Sequence, residues 1–183
     1  MKKVELNKQQ VRKDLLLKRD KMASREKQNY DDWICTELEN IIRDRDCKVV
    51  HVYLPMRSEI DIRPLIEQLL LKNMDLVVSK TLKNRHLEHL ILSSLDDLEE
   101  GMYGTSHPKD GVVFQGEMDV IIVPGVAFDL QNYRLGYGGG YYDSFLAEHA
   151  AAFSVGVCYP FQKIAAVPRE KHDACLDLVL VKE

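Results

Sequence analysis

The sequence predicts an α/β protein: a single domain with a mainly parallel central sheet, flanked by helices in three Rossmann-like layers. Short β-branched apolar runs at residues 47–54, 118–123 and 152–159 read as buried strands, and amphipathic segments lie between them. A glycine-rich tract joins one of these strands to a helix, as βα units do. With 183 residues, 45% of them apolar, the chain can bury one sizeable core. We therefore expect one unit over 1–183, made of N-terminal helices over 1–45 and an α/β body over 46–183.

Residues 5–23 contain few helix breakers and many Lys, Leu, Gln and Arg, which predicts a helix, with Ser24 as N-cap of a second helix reaching Arg43. At ~100° per residue, Val11, Leu15 and Met22 share one face of the first helix, and Lys8, Arg12 and Arg19 run along its edge. Those basic groups either snorkel along the interface or aim into a cleft. Residues 47–54 (CKVVHVYL) form a strand that stops at Pro55, and the loop 56–59 leaves Glu59 at its carboxyl end, the edge at which open α/β sheets bind ligands. A helix over 61–72 follows, with Asp61 as its cap and Pro64 in its first turn. Residues 74–79 read as a second strand and 86–92 as a third, antiparallel and near an edge.

Residues 94–100 read as a short capped helix, and 101–114 as a glycine-rich loop with an exposed His107. The strand at 118–123 (MDVIIV) delivers the chain into the glycine tract. A helix over 141–149, a strand over 152–159, an irregular stretch over 160–173 and a last strand over 176–181 complete the chain.

The net charge of −4 argues against a nucleic-acid partner, which needs a clustered positive field. The charge is uneven, however: residues 1–27 hold ten Lys/Arg against four Asp/Glu, so a basic first helix faces either an acidic body or a small polyanion. No apolar run approaches the ~20 residues of a membrane span, and we expect a soluble, cytoplasmic protein with no membrane partner. Cys35, Cys47, Cys158 and Cys175 lack metal-finger spacing and read as reduced packing residues. His86 and His89 fall on opposite faces of their strand and make a poor metal pair.

The tract VPGVAFDLQNYRLGYGGGYYD, residues 123–143, carries the chemistry. Glycines 136, 138, 139 and 140 let backbone N–H groups approach an anion, and the helix that starts near Tyr141 adds its unpaired N–H groups and dipole. Arg134 offers a planar fork to phosphate. Asp143, third in that helix, either stabilises the helix dipole or helps hold Mg²⁺ beside phosphates, and Asp173 is a second candidate carboxylate. Walker, dinucleotide-fingerprint and Gly-x-Ser-x-Gly motifs are absent from the sequence.

VPGVAFD followed by RLGYGGGYYD resembles the signature of the 5-formyltetrahydrofolate cyclo-ligase family, also called 5,10-methenyltetrahydrofolate synthetases. Lys8-x-x-x-Arg12, YLPMRSEIDIRPLI and VPREKHDACLD are similar to three further segments of that family, in the same order along the chain. The resemblance implies an ATP-dependent, Mg²⁺-assisted closure of 5-formyltetrahydrofolate to 5,10-methenyltetrahydrofolate, with ADP and phosphate released, by a protein we expect to be monomeric. It further implies that Lys8, Arg12, Arg134, Leu135, Gly136, Tyr137, Gly138, Gly139, Gly140, Tyr141 and Tyr142 hold ATP. Arg134 and Asp143 would be catalytic, Asp143 and Asp173 would bind the metal, and Leu54 and Glu59 would line the folate site. Asn132 stands where the family often has glycine, and Tyr137 and Gly139 stand where some members carry basic residues. His107 stands where many have an acidic or amide residue.

Overall fold

The computed structural model describes residues 7–170 and 173–182; residues 5 and 6 of the predicted first helix fall outside that range. Two helices open the chain, α1 (Lys8–Asp20) and α2 (Ser24–Asp44). Asn7 caps α1 by accepting the Gln9 N–H at 2.8 Å. Ser24 is not the cap the sequence suggests: it is the first helical residue, and Ala23 takes the N-cap position with no side-chain bond. The buried stripe Ile34, Leu38 and Ile42 holds α2 against the body instead.

Next come β1 (Val49–His51), α3 (Arg63–Leu71), β2 (Asp75–Thr81) and β3 (Leu87–Ile91). The expected helix over 61–72 is shorter and Asp61 is not its cap: Ile62 takes the N-cap position, while Asp61, one residue earlier, accepts the Arg63 N–H through Oδ1 at 3.0 Å, and Pro64 lies in the first turn as expected. They are followed by β4 (Leu98–Glu100), β5 (Ser106–Pro108), β6 (Val120–Val123), β7 (Ala127–Asp129), β8 (Arg134–Leu135) and α4 (Tyr141–Glu148). The chain ends with β9 (Phe153–Val157), β10 (Lys163–Ile164) and β11 (Leu178–Leu180).

The main sheet has six strands in the order β11-β9-β6-β1-β2-β3, parallel throughout except for β3. Alternate residues face opposite sides. Val50, Val78, Ile122 and Val155 pack under α2 and α3, whereas Val77, Ile121 and Val179 pack with Phe145 and Leu146 of α4. From β1 the chain winds outward through β2, and from β6 it winds the other way through β9. The switch therefore lies between β1 and β6, and a crevice opens at their carboxyl ends. A small sheet, β10-β7-β8, lies outside the main one and packs on α1 through Val11, Ala127 and Leu135.

Several local expectations change. The first strand spans three residues rather than eight, because beyond Val52, whose N–H still reaches Val77 O at 2.8 Å, the chain leaves the ladder for the loop at Pro55. The helix expected over 94–100 does not form. Ser94 Oγ accepts the Asp96 N–H at 3.0 Å in a turn, and β4 pairs antiparallel with β5, so cross-strand pairing outweighs local helix signals. His107, expected to be exposed, lies opposite Glu99 in that ladder and is 3% exposed, its Nδ1 3.6 Å from Glu99 Oε1. The stretch 160–173 is less irregular than it reads, since β10 pairs there with β7.

Candidate active site

The crevice at the switch point is a cleft of about 900 Å³. Its walls come from α1, the loop after β1, the chain after β6 with its glycine tract, the turn between β2 and β3, and the segment before β11. Every residue that the family resemblance assigns to the site lines it: Lys8, Arg12, Leu54, Glu59, Arg134, Asp173 and the whole run 135–143.

Helical spacing aims the basic edge of α1 inward, because Lys8, Arg12 and Arg19 fall within ~40° of one another at 100° per residue. Val11 and Leu15 seat that helix on the small sheet. Lys8 Nζ lies 2.6 Å from Glu170 Oε1 and 3.9 Å from Asp173 Oδ2, so it joins the C-terminal wall. The Arg12 Nε–H donates to Gly136 O at 2.7 Å. Its guanidinium carbon sits 3.5 Å from where a Cβ on Gly138 would be, an ordinary contact, so it is the φ of 108° at Gly138 that calls for glycine in this turn.

The glycine tract is launched by the hairpin β7–β8, which the sequence did not suggest. Its turn closes on Asp129, a fully buried carboxylate that accepts the N–H groups of Gln131 (2.9 Å), Tyr133 (3.0 Å) and Val167 (3.1 Å), and pairs with Arg169 at 2.9 Å. Asn132 has φ 63° in this turn, a left-handed position that Asn fills more readily than most residues, which accounts for its standing in for glycine. At the far end Gly140, with φ 71°, occupies the N-cap of α4 and offers no side chain. The first N–H groups of α4 are thus left for a ligand.

Arg134 and Asp143 bracket the tract, with Nη2 and Oδ1 3.1 Å apart. Asp143 Oδ1 also accepts the Ala174 N–H at 3.2 Å, which brings Asp173 alongside it. Arg134 is buried and its Nη1 has no hydrogen-bond partner among the described residues. Burial pushes the Arg134 guanidinium below its usual range, while Asp143, Tyr142 and Asp173 oppose that shift. Among the described residues no group of three or more His, Cys, Asp or Glu is arranged as a metal site. Two neighbouring carboxylates suit magnesium when phosphate oxygens and water complete its shell.

Opposite the tract, Glu59 is 4% exposed. Its Oε2 accepts the Met56 N–H at 2.9 Å and its Oε1 the Tyr137 hydroxyl at 2.8 Å. Burial raises its pKa, and the Met56 and Tyr137 bonds and then Arg19 pull it back. Sequence reasoning put Arg19 on the Lys8–Arg12 edge but gave it no role; the structure buries it, its guanidinium bonding Tyr137 and Ser58. It also passed over Arg57, Arg85 and Tyr103, which line the cleft with left-handed φ values of 52°, 61° and 61°. Nothing in their identity signals this, because arginine and tyrosine are not residues that favour that region.

Fold and cleft together define a class: α/β proteins that present a glycine loop and a helix N-terminus to an anionic ligand at the switch point of the sheet. Within it, the chain belongs to the 5-formyltetrahydrofolate cyclo-ligase family, whose profile matches residues 4–182. It is 29% identical to 5-formyltetrahydrofolate cyclo-ligase of Haemophilus influenzae over 94% of this chain and 96% of that one. It is 33% identical to the Escherichia coli K12 protein of the same name over 72% and 76%. The solved structure of Aquifex aeolicus 5,10-methenyltetrahydrofolate synthetase superposes with TM-score 0.82 at 32% identity, covering 96% of this chain and 90% of that one. That of the Mycoplasma pneumoniae synthetase gives 0.77 at 25%, covering 95% and 98%.

Proposed function

We propose that this chain is a 5-formyltetrahydrofolate cyclo-ligase, which uses ATP to close 5-formyltetrahydrofolate to 5,10-methenyltetrahydrofolate and releases ADP and phosphate. Beyond family membership, one observation carries this reading. The cations Lys8, Arg12 and Arg134, the open N-terminus of α4 and the buried carboxylate of Glu59 all face one cleft, with anion-binding groups on one wall and an acceptor for N–H donors on the other.

The formyl oxygen is a poor leaving group. In the proposed reaction it takes the γ-phosphoryl of ATP, the second folate nitrogen attacks the activated carbon, and phosphate departs with that oxygen. No protein nucleophile is needed, so the protein's part is positioning and charge neutralisation. The loop N–H groups, Arg12 and Arg134 would orient the triphosphate, while Leu54 and Glu59 would orient the folate ring. Asp143, through Oδ2, and Asp173 would hold Mg²⁺, which supplies neutralisation of charge on the phosphate oxygens. The proposal extends to a single Rossmann-like domain acting as a cytoplasmic monomer without nucleic-acid or membrane partners. Helices on both faces of a mostly parallel sheet and a net charge of −4 support it, and no described helix is long and apolar enough to cross a membrane.

Purified protein given ATP, Mg²⁺ and 5-formyltetrahydrofolate is expected to develop the near-ultraviolet absorbance of the methenyl product, with ADP formed in equal amount. Absence of that absorbance at micromolar protein would overturn the assignment.

A further inference from the structure

Tyr137 belongs by sequence to the glycine tract, yet its side chain turns away from the tract and toward Glu59. The hydroxyl donates to Glu59 Oε1 at 2.8 Å and accepts from Arg19 Nη2 at 2.7 Å. Both of the charged residues it joins are buried, Glu59 at 4% exposure and Arg19 at 3%. Among the described residues Arg19 has no carboxylate within 4.0 Å; its two hydrogen-bond partners are the neutral Ser58 Oγ, at 3.1 Å, and the Tyr137 hydroxyl. A buried cation and a buried anion therefore meet through one phenol. Each charge is costly to bury unpaired, and a fully satisfied bridge lets both stay charged in a poorly solvated site. The phenol suits the task because burial pushes its own pKa up to about 12, so it keeps the proton it donates.

We propose that Tyr137 is a positioning residue for the folate side of the reaction: its hydroxyl relays the Arg19 charge to Glu59 and so holds that carboxylate charged and aimed into the cleft. This rests on the cyclo-ligase reading and deepens it, because it takes Tyr137 out of the set that grips ATP. It also accounts for tyrosine where some relatives carry a basic residue: the positive charge comes from Arg19 on α1, and the loop residue only transmits it. Other groups act on Glu59 or feel its charge, namely Lys27 on α2, Tyr53 after β1 and Tyr142 on α4; none of them hydrogen-bonds it.

The test is Tyr137→Phe, which removes the hydroxyl and keeps the ring. KM for 5-formyltetrahydrofolate is expected to rise about tenfold, as for loss of a hydrogen bond to a charged group, while KM for ATP stays within about twofold. The acid limb of kcat/KM for the folate should move to higher pH, because Glu59 loses support for its charged form. In a Glu59→Gln background the same change should have little further effect on folate KM. A rise in KM for ATP with folate KM unchanged, an unmoved acid limb, or additive effects of the two substitutions would each overturn the proposal. A second readout needs no turnover: the Glu59 carboxyl, followed by NMR in the wild type and in Tyr137→Phe, should titrate at higher pH in the variant, and an unmoved titration counts against the relay. An inactive wild type would sink the cyclo-ligase reading, whereas an active wild type with an indifferent Tyr137→Phe would sink the relay alone.

Discussion

The guanidinium of Arg134 lies 3.1 Å from the carboxylate of Asp143, and that contact ties together the two ends of the glycine tract. Eight residues, four of them glycine, separate the pair. Closing a flexible segment of this kind removes conformational freedom before any ligand arrives, so the loop N–H groups are set in advance for an anion. The other terminal nitrogen of Arg134 is buried without a partner among the described residues, as expected of a group that waits for a ligand oxygen.

Replacing Arg134 by Ala should therefore raise KM for ATP more than tenfold and leave KM for the folate within about threefold, since a charge-assisted bond of this kind is worth about 1.5–3 kcal/mol. Arg134→Lys should recover little of that loss. A lysine can pair with Asp143 or with a phosphate but lacks the fork to do both in this geometry. Steady-state kinetics in each substrate decide the matter, and a lysine variant with wild-type KM for ATP would rule out the fork.

Asp143→Asn tests the other end of the pair. Asparagine keeps an acceptor for the Ala174 N–H but leaves a buried arginine without its counter-charge, so stability should fall by about 1–3 kcal/mol. The Mg²⁺ concentration giving half-maximal rate should rise at the same time. Urea unfolding followed by an Mg²⁺ titration of activity separates the two effects. A stability loss with unchanged Mg²⁺ dependence would leave Asp143 a structural partner of Arg134 and nothing more.

The parts of this site legible in the sequence share a property: their signal is local. Glycines before a helix, Lys8 and Arg12 one turn apart, and Glu59 just beyond a β-branched run can each be read within a dozen residues. What was not legible depends on partners distant in the chain. The β7–β8 hairpin has strands of three and two residues, too short to show a period, and it exists because Asp129 gathers N–H groups from both Tyr133 and the far segment at Val167. Residues 94–100 carry a cap and acidic side chains that suit a helix, yet the antiparallel partner at 106–108 makes part of them a strand and buries His107. Tyr137 could be read as a loop residue but not as the bridge between Arg19 and Glu59, which lie 118 and 78 positions away.

Asp129 is the clearest stability target outside the cleft. Asp129→Ala would leave three backbone N–H groups and the Arg169 guanidinium without their acceptor in a buried turn, and should cost about 3–5 kcal/mol. Asp129→Asn retains an acceptor but loses the charge facing Arg169, and should cost less. The midpoint of urea unfolding measures both. Because β8 delivers Arg134 into the cleft, the alanine variant should also weaken ATP even at temperatures where it remains folded. Full ATP affinity in a destabilised Asp129→Ala would show that the hairpin does not set the loop.

A pair of histidines under α4 makes stability depend on pH. Ser79 Oγ lies 2.8 Å from His51 Nε2 and 3.2 Å from His89 Nδ1, and the His89 ring is 5.3 Å from that of His149. Burial first, and then the neighbouring histidines, lowers the pKa of His51 far below its ordinary value and that of His89 to about 4. A histidine whose folded-state pKa is depressed binds its proton more readily in the unfolded chain. Stability is therefore full above the unfolded value of about 6.5 and falls as pH drops from there toward 4. The slope is at most about 1.4 kcal/mol per pH unit per group, and smaller for half-buried His89, where water screens the charge. Glu59 and Asp31, whose pKa values are raised by burial, act in the opposite direction over the carboxylate range, so the raw curve mixes both signs. The difference between wild type and His89→Gln isolates the histidine. Urea unfolding free energies at pH 7.5 and about 5 should converge for the variant relative to the wild type, and equal pH dependence in the two proteins would show that His89 is not held neutral by the fold.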